Sequence, residues 1–106
     1  MLDRGVLSLR GPLTMENVSP FMNAVRRETA PTMILDLTGV PYLDSSGLGS
    51  LVSACTTCAK AGRRIALTGV NKRVLHVFEI TRVEQIFLMF PTLSDALEAF
   101  TNAGTA

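Results

Sequence analysis

Apolar positions along this chain recur with two different periods, and the switching between them predicts eight elements. Val6, Leu7 and Leu9 mark a strand over Gly5–Arg10, stopped by Gly11 and Pro12. Val18, Phe21, Met22 and Val25 follow at i, i+3, i+4 and i+7, one face of a helix that Asn17 or Ser19 can cap. Pro20 falls in its first turn, where no intrahelical N–H is lost, and Pro31 closes the segment. Met33–Leu37 is a short apolar run that reads as a buried strand, broken at Gly39 and Pro41. Helical spacing then returns with Leu48, Leu51, Val52, Cys55 and Ala59, predicting a helix from Ser45 or Ser46 to Ala61, ended by Gly62.

Arg64–Thr68 is a further strand, stopped by Gly69, and Asn71 is an N-cap for a short helix carrying Val74, Val77 and Phe78. Ile86–Phe90 reads as a strand before Pro91. Thr92 caps a last helix with Asp95 at its third position and Leu93, Ala96, Leu97 and Phe100 on its buried face. Met1–Asp3 reads as a stub of an earlier paired strand, and Thr101–Ala106 as a frayed tail.

Strands and helices alternating in this way predict an α/β domain built on a mostly parallel or mixed sheet of four to five strands with about four helices. No repeat or linker interrupts residues 1–106, so a single domain is expected. At 47% hydrophobic and 18% charged residues the composition is that of a chain able to bury a core. The net charge of +1 names no partner. The longest strongly apolar run, Ile86–Phe90, is far short of the roughly 20 residues of a membrane span, and Met1–Arg4 has no secretory character. A cytoplasmic protein is expected.

Several chemistries are disfavoured by the residues at hand. Cys55 and Cys58 form a CxxC without a second pair, and read as helix residues with Cys55 facing the core and Cys58 at a flank. No G-x-S-x-G elbow precedes Ser45, and the sole imidazole, His76, falls on a different helix, so no hydrolase triad is expected. Gly47-Leu48-Gly49 begins like a dinucleotide fingerprint but has Val52 at the third glycine position, and no P-loop occurs. Lys60, Arg63, Arg64, Lys72 and Arg73 form a basic run without interleaved aromatics, which reads as a solvated edge rather than a nucleic-acid surface. No metal or cofactor is expected.

The serines at the strand-to-helix handover, Ser45 and Ser46, remain. A helix N-terminus has unpartnered N–H groups and welcomes negative charge. A phosphate there adds about −1.5 to −2 charges without disturbing the fold, yet changes the outward surface beside Asp44. The structural alternative is that Ser45 or Ser46 only caps the helix.

The stretch Leu35-Asp36-Leu37-Thr38-Gly39-Val40, followed by Tyr42-Leu43-Asp44-Ser45-Ser46-Gly47-Leu48-Gly49, resembles the STAS domain of bacterial anti-sigma factor antagonists. The similarity continues through Gly62, Arg64-Ile65-Ala66-Leu67, Val70-Asn71-Lys72-Arg73-Val74 and Val77-Phe78-Glu79-Ile80. The resemblance implies a partner-switching module rather than an enzyme. Such a module binds an anti-sigma factor that is also a serine kinase, thereby freeing a sigma factor. It lets go when phosphorylated and is reset by a phosphatase. By that likeness the phosphoacceptor is Ser45, with Ser46 the alternative. Asp44, Ser45, Ser46, Gly47 and Leu48 lie in the contact surface, and Leu13 and Thr14 in a neighbouring loop of it.

Three features depart from the family pattern. Pro12 and Thr14 stand where a G-E-L-D loop has two acidic residues. Arg82 occupies the position of a turn glycine. The first edge strand is nearly absent, which implies an exposed N-terminal edge open to homodimer pairing. Two other functions fit a STAS-like domain: a non-phosphorylated interaction subunit of a lipid-transport or stress-signalling complex, and a small-molecule or nucleotide sensor.

Overall fold

The computed structural model describes residues 4–105, excluding the side chains of residues 102–105; the expected stub at Met1–Asp3 lies outside the described residues. In chain order the elements are β1 (Arg4–Arg10), α1 (Val18–Arg27), β2 (Thr32–Gly39), α2 (Ser45–Lys60), β3 (Arg64–Thr68), α3 (Lys72–Ile80), β4 (Met89–Phe90) and α4 (Leu93–Thr105). The four strands form one sheet in the order β1-β2-β3-β4, with every neighbouring pair parallel. α4 carries helical backbone to Thr105, past the Thr101 boundary where fraying is expected.

β2 explains why the sequence there is a continuous apolar run rather than an alternating one. Met33, Leu35 and Leu37 enter a core shared with Phe21 and Val25 of α1, Leu51, Ala54 and Cys58 of α2, and Val74 and Phe78 of α3. Ile34 points to the other face, where it meets Ala66, Ala96 and Phe100. Helices cover both faces of a parallel sheet, so both parities of β2 are apolar. At the lower end of the sheet, the Arg4 guanidinium reaches the carbonyl of Leu97 and the hydroxyl of Thr101, joining β1 to α4.

Two expectations are corrected. The strand expected over Ile86–Phe90 shrinks to Met89–Phe90, paired with Leu67 and Thr68. The amides of Ile86 and Phe87 instead donate to the carbonyls of Val83 and Glu84, forming turns that drop Phe87 onto Phe78 with ring centroids 4.8 Å apart. An amide held in such a turn cannot serve a sheet ladder. Cys58 is not at a flank: it is fully buried, more so than Cys55. Burial pushes the Cys55 thiol up to about 12 and raises that of Cys58 as well, so neither group resembles a redox thiol.

Arg82 has φ 60°, the left-handed conformation that glycine adopts freely. Its side chain is exposed and its amide donates to Glu79. Arg82→Gly relieves a strain of about 1 kcal/mol, partly offset by the greater freedom of glycine in the unfolded chain. The urea midpoint is expected to rise; a fall would mean that the Arg82 side chain makes a contact outweighing the strain.

Candidate functional site

The parallel arrangement gathers the loops following β1, β2 and β3 at one end of the sheet. The first two are stitched together beyond the strands themselves. Gly11 donates to the Gly39 carbonyl at 2.9 Å, Leu13 donates to Tyr42 at 3.1 Å, and Asp44 donates to Leu13 at 3.2 Å. These bonds make Leu13 and Leu43 a small parallel bridge. Asn17 shapes the first loop: its Oδ1 accepts from the Thr14 amide and its Nδ2 donates to the Pro12 carbonyl. Asn17 therefore stands at the N-cap position of α1 without capping it through its side chain. The third loop joins through Asn71, whose Nδ2 donates to the carbonyls of Val40 and Pro41 at 3.1 and 3.2 Å while its Oδ1 caps α3 at Val74.

Asp44 is the cap of α2, correcting the expectation that a serine fills that role. Its Oδ1 accepts from the Gly47 amide at 2.8 Å and its Oδ2 from the Met15 amide at 3.1 Å, clamping the first loop to the helix start. Those amides, Gly47 foremost and then Met15, hold the carboxyl below the usual aspartate range. Because the folded value is depressed, the stabilisation is present above the unfolded value and is lost as pH falls through the folded one. Asp44→Asn keeps a neutral acceptor, so its stability is expected to fall less than that of the native protein between pH 7 and pH 3. Urea midpoints at the two pH values measure this, and identical losses would show that Asp44 does not drive the acid response.

With the cap supplied by Asp44, Ser45 and Ser46 become the first two residues of α2, and both are exposed. Leu48 and Thr14 are half-buried. Leu13 and Gly47, expected in the contact surface, are buried and build the site from beneath. A Cβ on Gly47 would lie 2.0 Å from the Leu13 carbonyl oxygen. Gly49, by contrast, faces open space.

The structure adds residues that periodicity did not single out. Met15 is 74% and Tyr42 40% exposed, and with Pro12, Thr14, Glu16, Asn17 and Asp44 they line a shallow cavity of about 420 Å³. Both apolar residues fall outside every periodic face, which is the one signal by which the sequence could have revealed them. The carboxylates at this rim are Glu16 and Asp44, close to where Pro12 and Thr14 replace the family's acidic pair. The basic run does not make one patch: Lys60, Arg63 and Arg64 span the end of α2 and the start of β3, whereas Lys72 and Arg73 open α3 past the other end of β3. His76 is exposed on α3. Among the described residues, no group of three or more His, Cys, Asp or Glu is placed to hold a metal, and no helix is long and apolar enough to cross a membrane.

Comparison with known proteins places this geometry in context. An anti-sigma-B factor antagonist of Listeria monocytogenes is 38% identical over 52 residues, covering 49% of this chain and 46% of that protein. The chain spans about half the length of the curated relatives it matches first, 58% and 46%. The crystal structure of an anti-sigma factor antagonist from Mycobacterium paratuberculosis shares the fold with a TM-score of 0.82 at 24% identity, over 93% of this chain and 86% of that one. The murine anion transporter Slc26a9 contains a similar domain, with a TM-score of 0.78 at 27% identity over 97% of this chain and 18% of the transporter. The STAS domain pattern itself matches residues 3–96. The fold is thus a shared one, and this chain belongs to the STAS domain family.

Proposed function

We propose that the chain is an anti-sigma factor antagonist, a cytoplasmic binding module rather than an enzyme, switched by phosphorylation of Ser45. It docks through the exposed mouth of α2 onto an anti-sigma factor with serine kinase activity. The kinase modifies Ser45 (Ser46 is the alternative acceptor), and the added charge ejects the partner until a phosphatase removes it. The observation that carries this reading is the exposure of Ser45 at the first position of α2, with the cap function assigned to its neighbour Asp44. The hydroxyl is thereby spared a structural duty, and the helix dipole accommodates a dianion there. The relatives named above support the choice of partner class. β1, the sheet's edge strand with exposed Val6, Ser8 and Arg10, is where a second copy would pair, which size-exclusion chromatography tests.

Incubation with the cognate kinase and ATP is expected to add one phosphate, located on Ser45 by mass spectrometry. No phosphate, or one away from both serines, overturns the proposal. Ser45→Ala is expected to bind constitutively and Ser45→Asp at least tenfold more weakly, about 1.4 kcal/mol. Equal affinities would remove charge from the mechanism.

A further inference from the structure

The first turn of α3 breaks an electrostatic rule. Lys72 and Arg73 open the helix with no acidic residue beside them, at the dipole end that disfavours cations. Arg73, although exposed, lies over an aromatic ring: its guanidinium carbon sits 4.9 Å from the centroid of the Tyr42 ring. Tyr42 is itself 40% exposed, so the contact lies at the surface and is a weak one. The two residues are brought together by Asn71, which ties the start of α3 to Val40 and Pro41. Tyr42 then leads, three residues on, to Ser45. Three Cα–Cα steps span at most about 11 Å, and a bend into a helix start shortens that path.

Resting on the phosphorylation reading above, we infer that Arg73 is the internal counter-charge of the modified serine. When Ser45 carries a phosphate, the guanidinium leaves the Tyr42 ring and pairs with the phosphate oxygens, exchanging a weak exposed contact for charge-assisted hydrogen bonds. The charged groups around this position are Asp44 and Glu16 on the cavity side and Lys72 and Arg73 on α3. Asp44 adjoins Ser45 and opposes a second negative charge, so a cation on the α3 side has a definite task. The movement would also bare one face of Tyr42. The face offered to a partner would then change in shape as well as in charge, and an unfavourably placed cation would gain the partner its own helix lacks.

The test needs no kinase. Phosphoserine is installed at position 45 during synthesis by codon expansion, in the native sequence and in the Arg73→Ala and Arg73→Lys backgrounds. The second ionisation of the phosphate is followed by phosphorus NMR, with circular dichroism confirming the fold. Removing the guanidinium is expected to raise the phosphate's proton affinity about threefold, with Arg73→Lys in between because it keeps the charge and loses the planar fork. A second readout is built in. Tyr42 is the sole tyrosine and the chain has no tryptophan, so tyrosine emission reports this ring alone. Emission is expected to change between the unphosphorylated and phosphorylated native protein, and to be indifferent to phosphate in Arg73→Ala. Equal phosphate ionisation in all three backgrounds overturns the inference. Because no kinase is involved, that failure leaves the switch itself to be judged by the kinase experiment above.

Discussion

Gly47→Ala is expected to destabilise the protein by about 3 kcal/mol, the upper range for forcing atoms into a packed site. The reason is the identity of the obstructing atoms. The new methyl would meet the Leu13 carbonyl oxygen at 2.0 Å and its carbon at 2.8 Å, both backbone, so no side-chain rotation can relieve it. That same carbonyl accepts the Asp44 amide. Pushing it away unpicks the bridge between the first two loops and loosens the Asp44 clamp on Met15. Against a total stability of roughly 5–15 kcal/mol, the loss is large. Gly49→Ala is the matched control: with nothing near its Cβ, it is expected to gain up to about 1 kcal/mol of helix propensity. Urea denaturation of the two variants measures the contrast, and similar behaviour would mean that the approach of α2 to the Leu13 loop is looser than described.

Phe78→Ala should cost still more, about 4 kcal/mol. The ring is fully buried and packs at 4.8 Å against Phe87, which reaches it only because residues 83–87 turn instead of extending. The cavity therefore opens between α3 and that turn. A structural consequence for the site accompanies the loss of stability, since α3 carries Asn71 and its bonds to Val40 and Pro41. Phe78→Leu, which keeps most of the volume, is expected to lose less than half as much. Equal losses from the two substitutions would point to ring stacking rather than volume as the main contribution.

How far the sequence discloses this protein depends on whether the information is local. Periodicity located β2 and α2 because one is buried on both faces and the other presents a repeating stripe to it. Gly62 and Asn71 marked a helix end and a helix start because their backbone chemistry is decided within a few residues. Ile86–Phe90 misled because an apolar run records burial and not direction; a turn that buries Phe87 has the same composition as a strand. The cap is ambiguous among adjacent candidates. Asp44, Ser45 and Ser46 can all accept from an amide, and only the Met15 loop, 29 residues away, decides for Asp44 by giving its second oxygen a partner. Gly47 and Gly49 look equivalent in the sequence for the same reason: the carbonyl that distinguishes them belongs to another loop. The pairing of Tyr42 with Arg73 is likewise a product of the sheet order, invisible until β2 and β3 lie side by side.

The bond from Arg4 to Leu97 and Thr101 has a consequence for how this unit travels between proteins. It ties the first strand to the last helix through one long side chain at the pole opposite the serines, so a host polypeptide can adjoin the domain there without touching the serine pole. A similar domain makes up part of the much longer murine transporter chain. By the same separation of poles, a tether joining the two ends, with a fresh opening at the exposed turn of Ala61 and Gly62, would yield a rearranged chain with the same serine pole.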